Sequence, residues 1–345
     1  MAYQVGVVGA SGYTGAELLR LLASHPDIEV AHVTADSNAG ATVADVYPSL
    51  GSAYGTLRYE RLDPGDLRGL DAVFLALPHG ESQRLGPQLV GVVAHLIDLG
   101  ADFRLPAVEY ERWYGEPHAA PELIERFSFG LVELYRDEVC TRPHVANPGC
   151  YPTAASIALA PLLAAGLVQT TGIVVDACSG VSGAGRALKS TSLFSEANEQ
   201  MSAYGLLTHR HTAEMELALS HVARSPVQVL FTPHLAPMTR GILATCYARP
   251  AAERLDTASL LALYRDHYAG EPFVRVVDEP SGTKATCGSN AVHVTVRYDD
   301  RTGTVLALAA EDNLVKGAAG QAIQNANLLL GLEETLGLSA VGLAP

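Results

Sequence analysis

Val5-Gly6-Val7-Val8-Gly9-Ala10-Ser11-Gly12-Tyr13-Thr14-Gly15 opens the chain with a short apolar run and a glycine turn. Leucines at 18, 19, 21 and 22 then give Ala16 to Ser24 an apolar face at helical spacing. Strand, glycine turn and helix start together read as the first βα unit of a doubly wound parallel sheet. In that context glycine lets the backbone approach a pyrophosphate, and the N–H groups of the helix N-terminus receive its charge. The spacing is G-x-x-G-x-x-G, not G-x-G-x-x-G. Its placement in the chain, more than the pattern, separates it from an ordinary tight turn.

Outward from this unit, Ile28 to Thr34 reads as a second strand ending at Ala35-Asp36-Ser37-Asn38-Ala39-Gly40, where ribose specificity is decided. Asp36 suits the free 2′-hydroxyl of NAD, whereas Ser37, Asn38 and backbone donors suit a 2′-phosphate. No arginine follows closely in sequence, so these residues leave NAD against NADP open. Asp71 to Leu77 is a continuous apolar strand, as burial on both faces requires, and it runs into Pro78-His79-Gly80. His79 fits either the cofactor cleft or a helix cap. His95 to Leu99 is the next strand, and Arg104 beyond it is either an anion clamp or a surface ion pair. Pro106 to Arg142 reads as a helical and irregular insert, and Val145-Ala146 closes the sheet.

The next stretch, Asn147-Pro148-Gly149-Cys150-Tyr151-Pro152-Thr153, is a strong turn signal followed by an apolar helix from Ala154 to Leu163. Cys150 therefore falls in a first helical turn, where unpaired N–H groups and the helix dipole favour a thiolate. Pro152 is tolerated there and nowhere deeper. The alternative is a small buried thiol of no chemical consequence.

The chain has 345 residues, enough for two domains, with 48% hydrophobic and 17% charged residues. A formal charge of −14 argues against nucleic acid and an anionic membrane as partners, since both require a basic footprint. No apolar run reaches transmembrane length and no signal peptide is evident. The five cysteines include no Cys-x-x-Cys pair, and the twelve histidines form no metal-ligand pattern. The expectation is a cytoplasmic, reduced, metal-free protein.

Beyond Cys150 the texture changes to β-rich runs, Gly172 to Ala177, Val227 to Thr232, Gly241 to Ala248, Ala291 to Tyr298 and Thr304 to Ala310. Two helical segments, Glu214 to Ala223 and Thr257 to Tyr268, lie among them. The fold class expected is α/β, a Rossmann-type parallel-sheet domain joined to an α+β domain with a mixed or antiparallel sheet. One face of that second sheet is expected under helices and the other against a partner subunit. A long helix after Asp312 returns to the first domain. The boundaries are then 1–149 with 313–345 for the dinucleotide-binding domain and 150–312 for the second.

Three loops of the second domain look chemical. Ser179-Gly180-Val181-Ser182-Gly183-Ala184-Gly185-Arg186 is a small-residue loop whose backbone N–H groups can approach a ligand. His209-Arg210-His211-Thr212-Ala213-Glu214 concentrates two bases, a cation and an acid before a helix. Arg240 sits in a further turn. Arg104, Arg210 and Arg240 are the candidate clamps for an anionic substrate.

The Gly9 to Gly15 turn, Pro148 to Thr153, Ser179 to Gly185, His209-Arg210-His211 and Asp312-Asn313-Leu314-Val315-Lys316-Gly317 resemble the N-acetyl-γ-glutamyl-phosphate reductases of arginine biosynthesis. These belong among the aspartate-semialdehyde-dehydrogenase-like enzymes. The resemblance implies NADPH-dependent reduction of an acyl phosphate to an aldehyde by a homodimer or homotetramer. It also implies that Cys150 is the nucleophile and His211 the acid/base. Substrate would then be held by Arg104, His209, Arg210, Glu214 and Arg240. NADP would be held by Gly9, Ser11, Gly12, Tyr13, Thr14, Gly15, Ser37, Pro78, Ser182, Gly183 and Asn313. Asp36 departs from what an NADP enzyme ordinarily carries. The same chemistry on a carrier-linked glutamyl or aminoadipyl phosphate, or on aspartyl phosphate, is the near alternative; a noncatalytic nucleotide sensor is the distant one.

Overall fold

Six parallel strands, β1 (Tyr3–Val8), β2 (Ile28–Val33), β3 (Ala72–Leu75), β4 (His95–Asp98), β5 (Phe127–Phe129) and β6 (His144–Ala146), carry the N-terminal unit. Their order is β2-β1-β3-β4-β6-β5. The structure, a computed structural model, describes residues 2–343. It divides into one unit ending at Pro148 and completed by Ala318–Leu338, and a second of Gly149–Gly317 with residues 339–343.

The central strands are apolar on both faces because both are covered. Ala72, Val73, Phe74 and Leu75 of β3 are all fully buried, as are Leu96 and Ile97 of β4. Helix α1 (Tyr13–Leu22) lies after β1 and buries Leu18, Leu19, Leu21 and Leu22. The helix Gly320–Leu329 packs against α1 and β4 within this unit, and Asn325 donates to the Gly130 carbonyl at 2.8 Å. Val145-Ala146 does not form the sheet edge. The edge is β5, inside the stretch expected to be helical and irregular; three residues are too few to leave an alternation signal.

The second unit is built on seven strands, β7 (Ile173–Gly180), β8 (Ser202–Ala203), β9 (Val229–Ala236), β10 (Ile242–Ala248), β11 (Val274–Val276), β12 (Val292–Asp299) and β13 (Thr304–Glu311). The order β11-β12-β13-β10-β7-β9-β8 is mixed: β7–β9 and β11–β12 are parallel and the other pairs antiparallel. Helix α2 (Cys150–Ala164) packs on β10, β12 and β13, and it also meets helices α3 (His211–Ala223) and α4 (Thr257–His267). Every residue of α2 from Tyr151 to Leu163 is buried, which is why its sequence is apolar all round. The strands meanwhile alternate. Val229 and Phe231 of β9 face the helices, while Leu230 between them is half-exposed on the uncovered face.

Candidate active site

Cys150 is the first residue of α2, with Gly149 as its extended N-cap and no side chain capping the helix. The N-terminal N–H groups and dipole of the helix are thus directed at the position of the thiol. Gly149 is fixed from two sides. Its amide donates to Glu214 Oε2 at 2.9 Å, and a Cβ on it would lie 2.5 Å from His211 Nε2. Only glycine lets the imidazole sit this close to the backbone beside Cys150. On the other side, a Cβ on Gly317 would come within 2.7 Å of Cys150 Cβ. The cysteine is therefore seated between two glycines.

His211 begins α3, and Glu214, one turn on, is completely buried. Glu214 Oε1 lies 4.0 Å from His211 Nε2. One carboxylate therefore orients the backbone before the nucleophile and faces the imidazole. This differs from the substrate contact expected of Glu214: no surface of it is open to a substrate. His209 Nδ1 accepts the His211 backbone N–H at 3.2 Å, which leaves any proton of the neutral ring on Nε2. Burial, reinforced by the neighbouring His211, pushes the His209 imidazole down to about 3, so it stays neutral through the working range. Its ring is wedged edge-on among Tyr151, Tyr204, His211 and Phe231.

Cys150, His209, Arg210 and His211 line one cleft of about 510 Å³ with Ser179, Gly183, Lys189, Thr191, Ser202 and Tyr204. Arg210 is the expected clamp residue that the cleft contains. Arg240 instead lies 3.5 Å from the buried Asp312, whose carboxylate also accepts the Gly288 and Leu314 amides. Ser182 and Asn313, expected at the cofactor, are both buried and bond each other at 3.0 Å, while Asn313 Oδ1 accepts the Gly241 amide. Gly183 is exposed at the cleft. Lys189, Thr191 and Tyr204 had no motif around them and were not expected there.

The other expected residues lie together in the first unit. A Cβ on Gly9 would meet the Ala76 carbonyl oxygen at 2.4 Å, and one on Gly15 would meet Ala10 Cα at 2.6 Å. Those two glycines are demanded by the turn's own packing. Gly12 is different. It caps α1 in extended conformation with no side-chain hydrogen bond, and a Cβ there would meet only the Gly9 carbonyl oxygen, at 3.6 Å. Nothing within the chain requires glycine at 12, whereas a pyrophosphate at the helix N-terminus does, so the turn fits a dinucleotide. Gly12→Val is accordingly expected to keep the melting temperature of wild type while losing binding of a reduced nicotinamide dinucleotide, read by fluorescence titration. Undiminished affinity would place the pyrophosphate elsewhere.

Ser11 accepts the Tyr47 hydroxyl through its carbonyl, Tyr13 and Pro78 are exposed beside the turn, and Ser37 is exposed at the end of β2. No arginine follows Asp36 closely in sequence, but the fold brings one to it. Residue 60 bridges to Thr34, and this pairing carries Arg61 to 3.8 Å from Asp36. Arg58 donates to the Gly40 carbonyl at 2.9 Å in the same loop. Arg104 is buried and donates to the Leu99 carbonyl at 2.9 Å. His79 caps nothing; it tilts against Tyr114. The turn is instead capped by Asp102, which accepts the Gly80 and Gln83 amides at 2.7 and 2.9 Å. His32, Glu60 and Asp66 bring three ligand atoms within 4.8 Å of one another, but two of these residues are exposed carboxylates of the solvated surface.

Residues 4–142 match the model for the semialdehyde dehydrogenase NAD-binding domain, and residues 150–313 that for the semialdehyde dehydrogenase dimerisation domain. A protein of Symbiobacterium thermophilum named N-acetyl-gamma-glutamyl-phosphate reductase is 52% identical over 99% of both chains. One of Desulforudis audaxviator with the same name is 49% identical over 99% of both. Among solved structures, aspartate semialdehyde dehydrogenase II of Vibrio cholerae superposes with a TM-score of 0.71 at 18% identity. That match covers 96% of this chain and 99% of the other, a likeness of fold. No helix among the described residues is long and apolar enough to cross a membrane.

Proposed function

The chain belongs to the N-acetyl-gamma-glutamyl-phosphate reductase family, and from that premise we propose that it reduces N-acetyl-γ-glutamyl phosphate to N-acetylglutamate semialdehyde. The observation that carries this reading is Cys150 at the head of a buried helix, with His211 laid against the preceding glycine. An acyl phosphate is a poor hydride acceptor, and a thioester is a good one. His211 takes the thiol proton, and the Cys150 thiolate adds to the acyl carbon. The carbon–oxygen bond to phosphate breaks, inorganic phosphate leaves, and a thioester remains on Cys150. Bound NADPH supplies the hydride that reduces it. The helix N-terminus stabilises the oxyanion formed at each addition, and His211 returns its proton to the thiohemiacetal oxygen. As the carbon–sulfur bond then breaks, the hydroxyl proton returns to His211 and the aldehyde is released.

Arg210 and Lys189 supply local positive charge for the phosphate and carboxylate in a chain of net charge −14. NADP over NAD is favoured by Arg61 and Arg58 at the loop holding Ser37, since guanidinium groups there outweigh the single exposed Asp36. Arg61→Ser is expected to lower kcat/KM for NADPH and leave that for NADH within about twofold. Equal losses with both would take Arg61 out of the 2′-phosphate site. The uncovered sheet face of the second unit is read as the face that pairs with a second copy, and the cytoplasm as the enzyme's place. The deciding assay runs in reverse: N-acetylglutamate semialdehyde, phosphate and NADP should give NADPH. No reduction, while aspartate semialdehyde is oxidised, would overturn the substrate assignment.

A further inference from the structure

Gly317 reaches Cys150 from a turn that departs from the ordinary helical pattern. Val315–Ala319 form a π-helical turn, in which the Gly317 amide donates to the Asp312 carbonyl five residues back, at 3.0 Å. An α-helical turn would send that amide to the carbonyl of residue 313 and present Gly317 at a different angle. Such π turns are rare and recur at functional sites. Here the space around Gly317 is filled on two sides. A Cβ on it would meet Cys150 Cβ at 2.7 Å, Cys150 Cα at 3.2 Å and Glu311 Oε1 at 3.0 Å. The bare backbone of Gly317 is the surface on which the Cα–Cβ bond of the nucleophile rests.

Asp312 is the residue that imposes this turn, and its two carboxylate oxygens have separate partners. Oδ1 accepts the amides of Leu314 at 2.9 Å and Val315 at 3.3 Å, two and three residues on, as an N-cap does. Oδ2 accepts the Gly288 amide at 2.7 Å and lies 3.5 Å from Arg240 Nη1. The backbone carbonyl of the same residue takes the Gly317 amide. Asp312 thus holds the start of the turn through Oδ1 and its Gly317 through the carbonyl, while Oδ2 ties it to two other segments of the second unit. Being completely buried, it offers no surface to a substrate. Whatever it contributes to the site passes through the turn.

We propose that Asp312 is a positioning residue for the Cys150 nucleophile. Its Oδ1 cap fixes the π turn, and Gly317 of that turn holds the cysteine so that the thiol faces the N–H groups of its helix and His211. Glu214 and His211 fix the cysteine through Gly149; Asp312 fixes it through Gly317. Without the cap the turn relaxes toward α-helical bonding and Gly317 withdraws. The thiol then gains orientations that point away from the helix N-terminus. Misplacing a reacting group by about 1 Å costs on the order of 10²-fold in rate. The effect on turnover rests on reading Cys150 as the reductase nucleophile; the seating of the thiol does not.

Three substitutions in the full-length protein separate the cap from the ion pair. Asp312→Ser keeps an oxygen for the Leu314 and Val315 amides and loses the partner of Arg240. Asp312→Glu keeps a carboxylate for Arg240 and, one methylene longer, loses the cap geometry. Asp312→Ala loses both. The readout is iodoacetamide labelling of Cys150 against pH, below the melting transition of each protein. Asp312→Glu and Asp312→Ala are expected to label about tenfold more slowly at neutral pH, with the midpoint of the profile moved up by about one unit toward that of an ordinary cysteine. Asp312→Ser should follow wild type within about threefold and so restore what Asp312→Ala loses. In the reductase assay the first two should lose about 10–10²-fold in kcat while KM for the acyl phosphate stays within about threefold. A role in stability alone would lower the melting temperature of all three and leave the labelling profile of the folded protein in place. That result overturns the proposal, as does Asp312→Ser losing labelling as far as Asp312→Ala. Should Asp312→Ala not fold, Asp312→Glu carries the decision, because its charge stays paired; wild-type labelling in it overturns the cap. Labelling needs no substrate. If it behaves as expected while wild type fails to reduce the acyl phosphate, the reaction is overturned and the seating of the thiol stands.

Discussion

Cys150→Ser is expected to fold, bind NADPH with wild-type affinity and lose nearly all reduction. A serine hydroxyl in the same place stays protonated, and the helix N-terminus that stabilises a thiolate does too little for an alkoxide. The diagnostic measurement omits the cofactor. Wild type mixed with the acyl phosphate should gain the mass of one acyl group on Cys150 and release one equivalent of phosphate, while Cys150→Ser should do neither. The chain carries its own controls in Cys140, Cys178, Cys246 and Cys287, none in a disulfide. Burial pushes the Cys178 thiol upward, and pushes that of the fully buried Cys246 upward much further, so neither competes as a nucleophile. Acylation of any of these, or turnover without acylation anywhere, would remove Cys150 from the reaction.

Gly149→Ala is the second large effect, and it follows from a distance. With the new methyl 2.5 Å from His211 Nε2, the imidazole or the turn has to move. Losing a positioned acid/base costs about 10²–10⁴-fold, and the alanine variant is expected to approach the loss seen in His211→Asn. Both should also lose the same limb of the pH–rate profile. His209 cannot replace it, because burial keeps that ring neutral down to about 3. His209→Asn should therefore keep both limbs. A Gly149→Ala enzyme that retains the full profile at near wild-type rate would mean that His211 works from another position.

The helix after Pro148 was legible because its signals are local. The turn residues, Cys150, Pro152 and the apolar run all lie within a few positions of one another. The same holds for the first βα unit and for the alternating strands of the second sheet. What could not be read depends on pairing across the chain. Arg61 reaches Asp36 only because residue 60 bridges to Thr34. The cap of the Pro78–Gly80 turn comes from Asp102, not from the adjacent His79. Glu214 was recognised as part of the site but given a substrate to hold. Its burial and its bond to Gly149, 65 positions away in sequence, are tertiary facts. Lys189 and Thr191 sit in a stretch with no periodicity at all, so no pattern marked them.

The two glycines that seat Cys150 also limit how this enzyme can be diversified. At residues 149 and 317 even the smallest side chain would strike His211 or the cysteine itself, so a library that randomises them returns mostly dead clones. Chemistry and acyl-group preference are thus carried by separate positions. The first is frozen around the thiol and includes Tyr204, which bonds the Tyr151 hydroxyl and packs on the His209 ring, while Thr191 and Ser202 are exposed residues of the cleft. Anyone recruiting this scaffold to reduce a bulkier acyl phosphate should begin with those two.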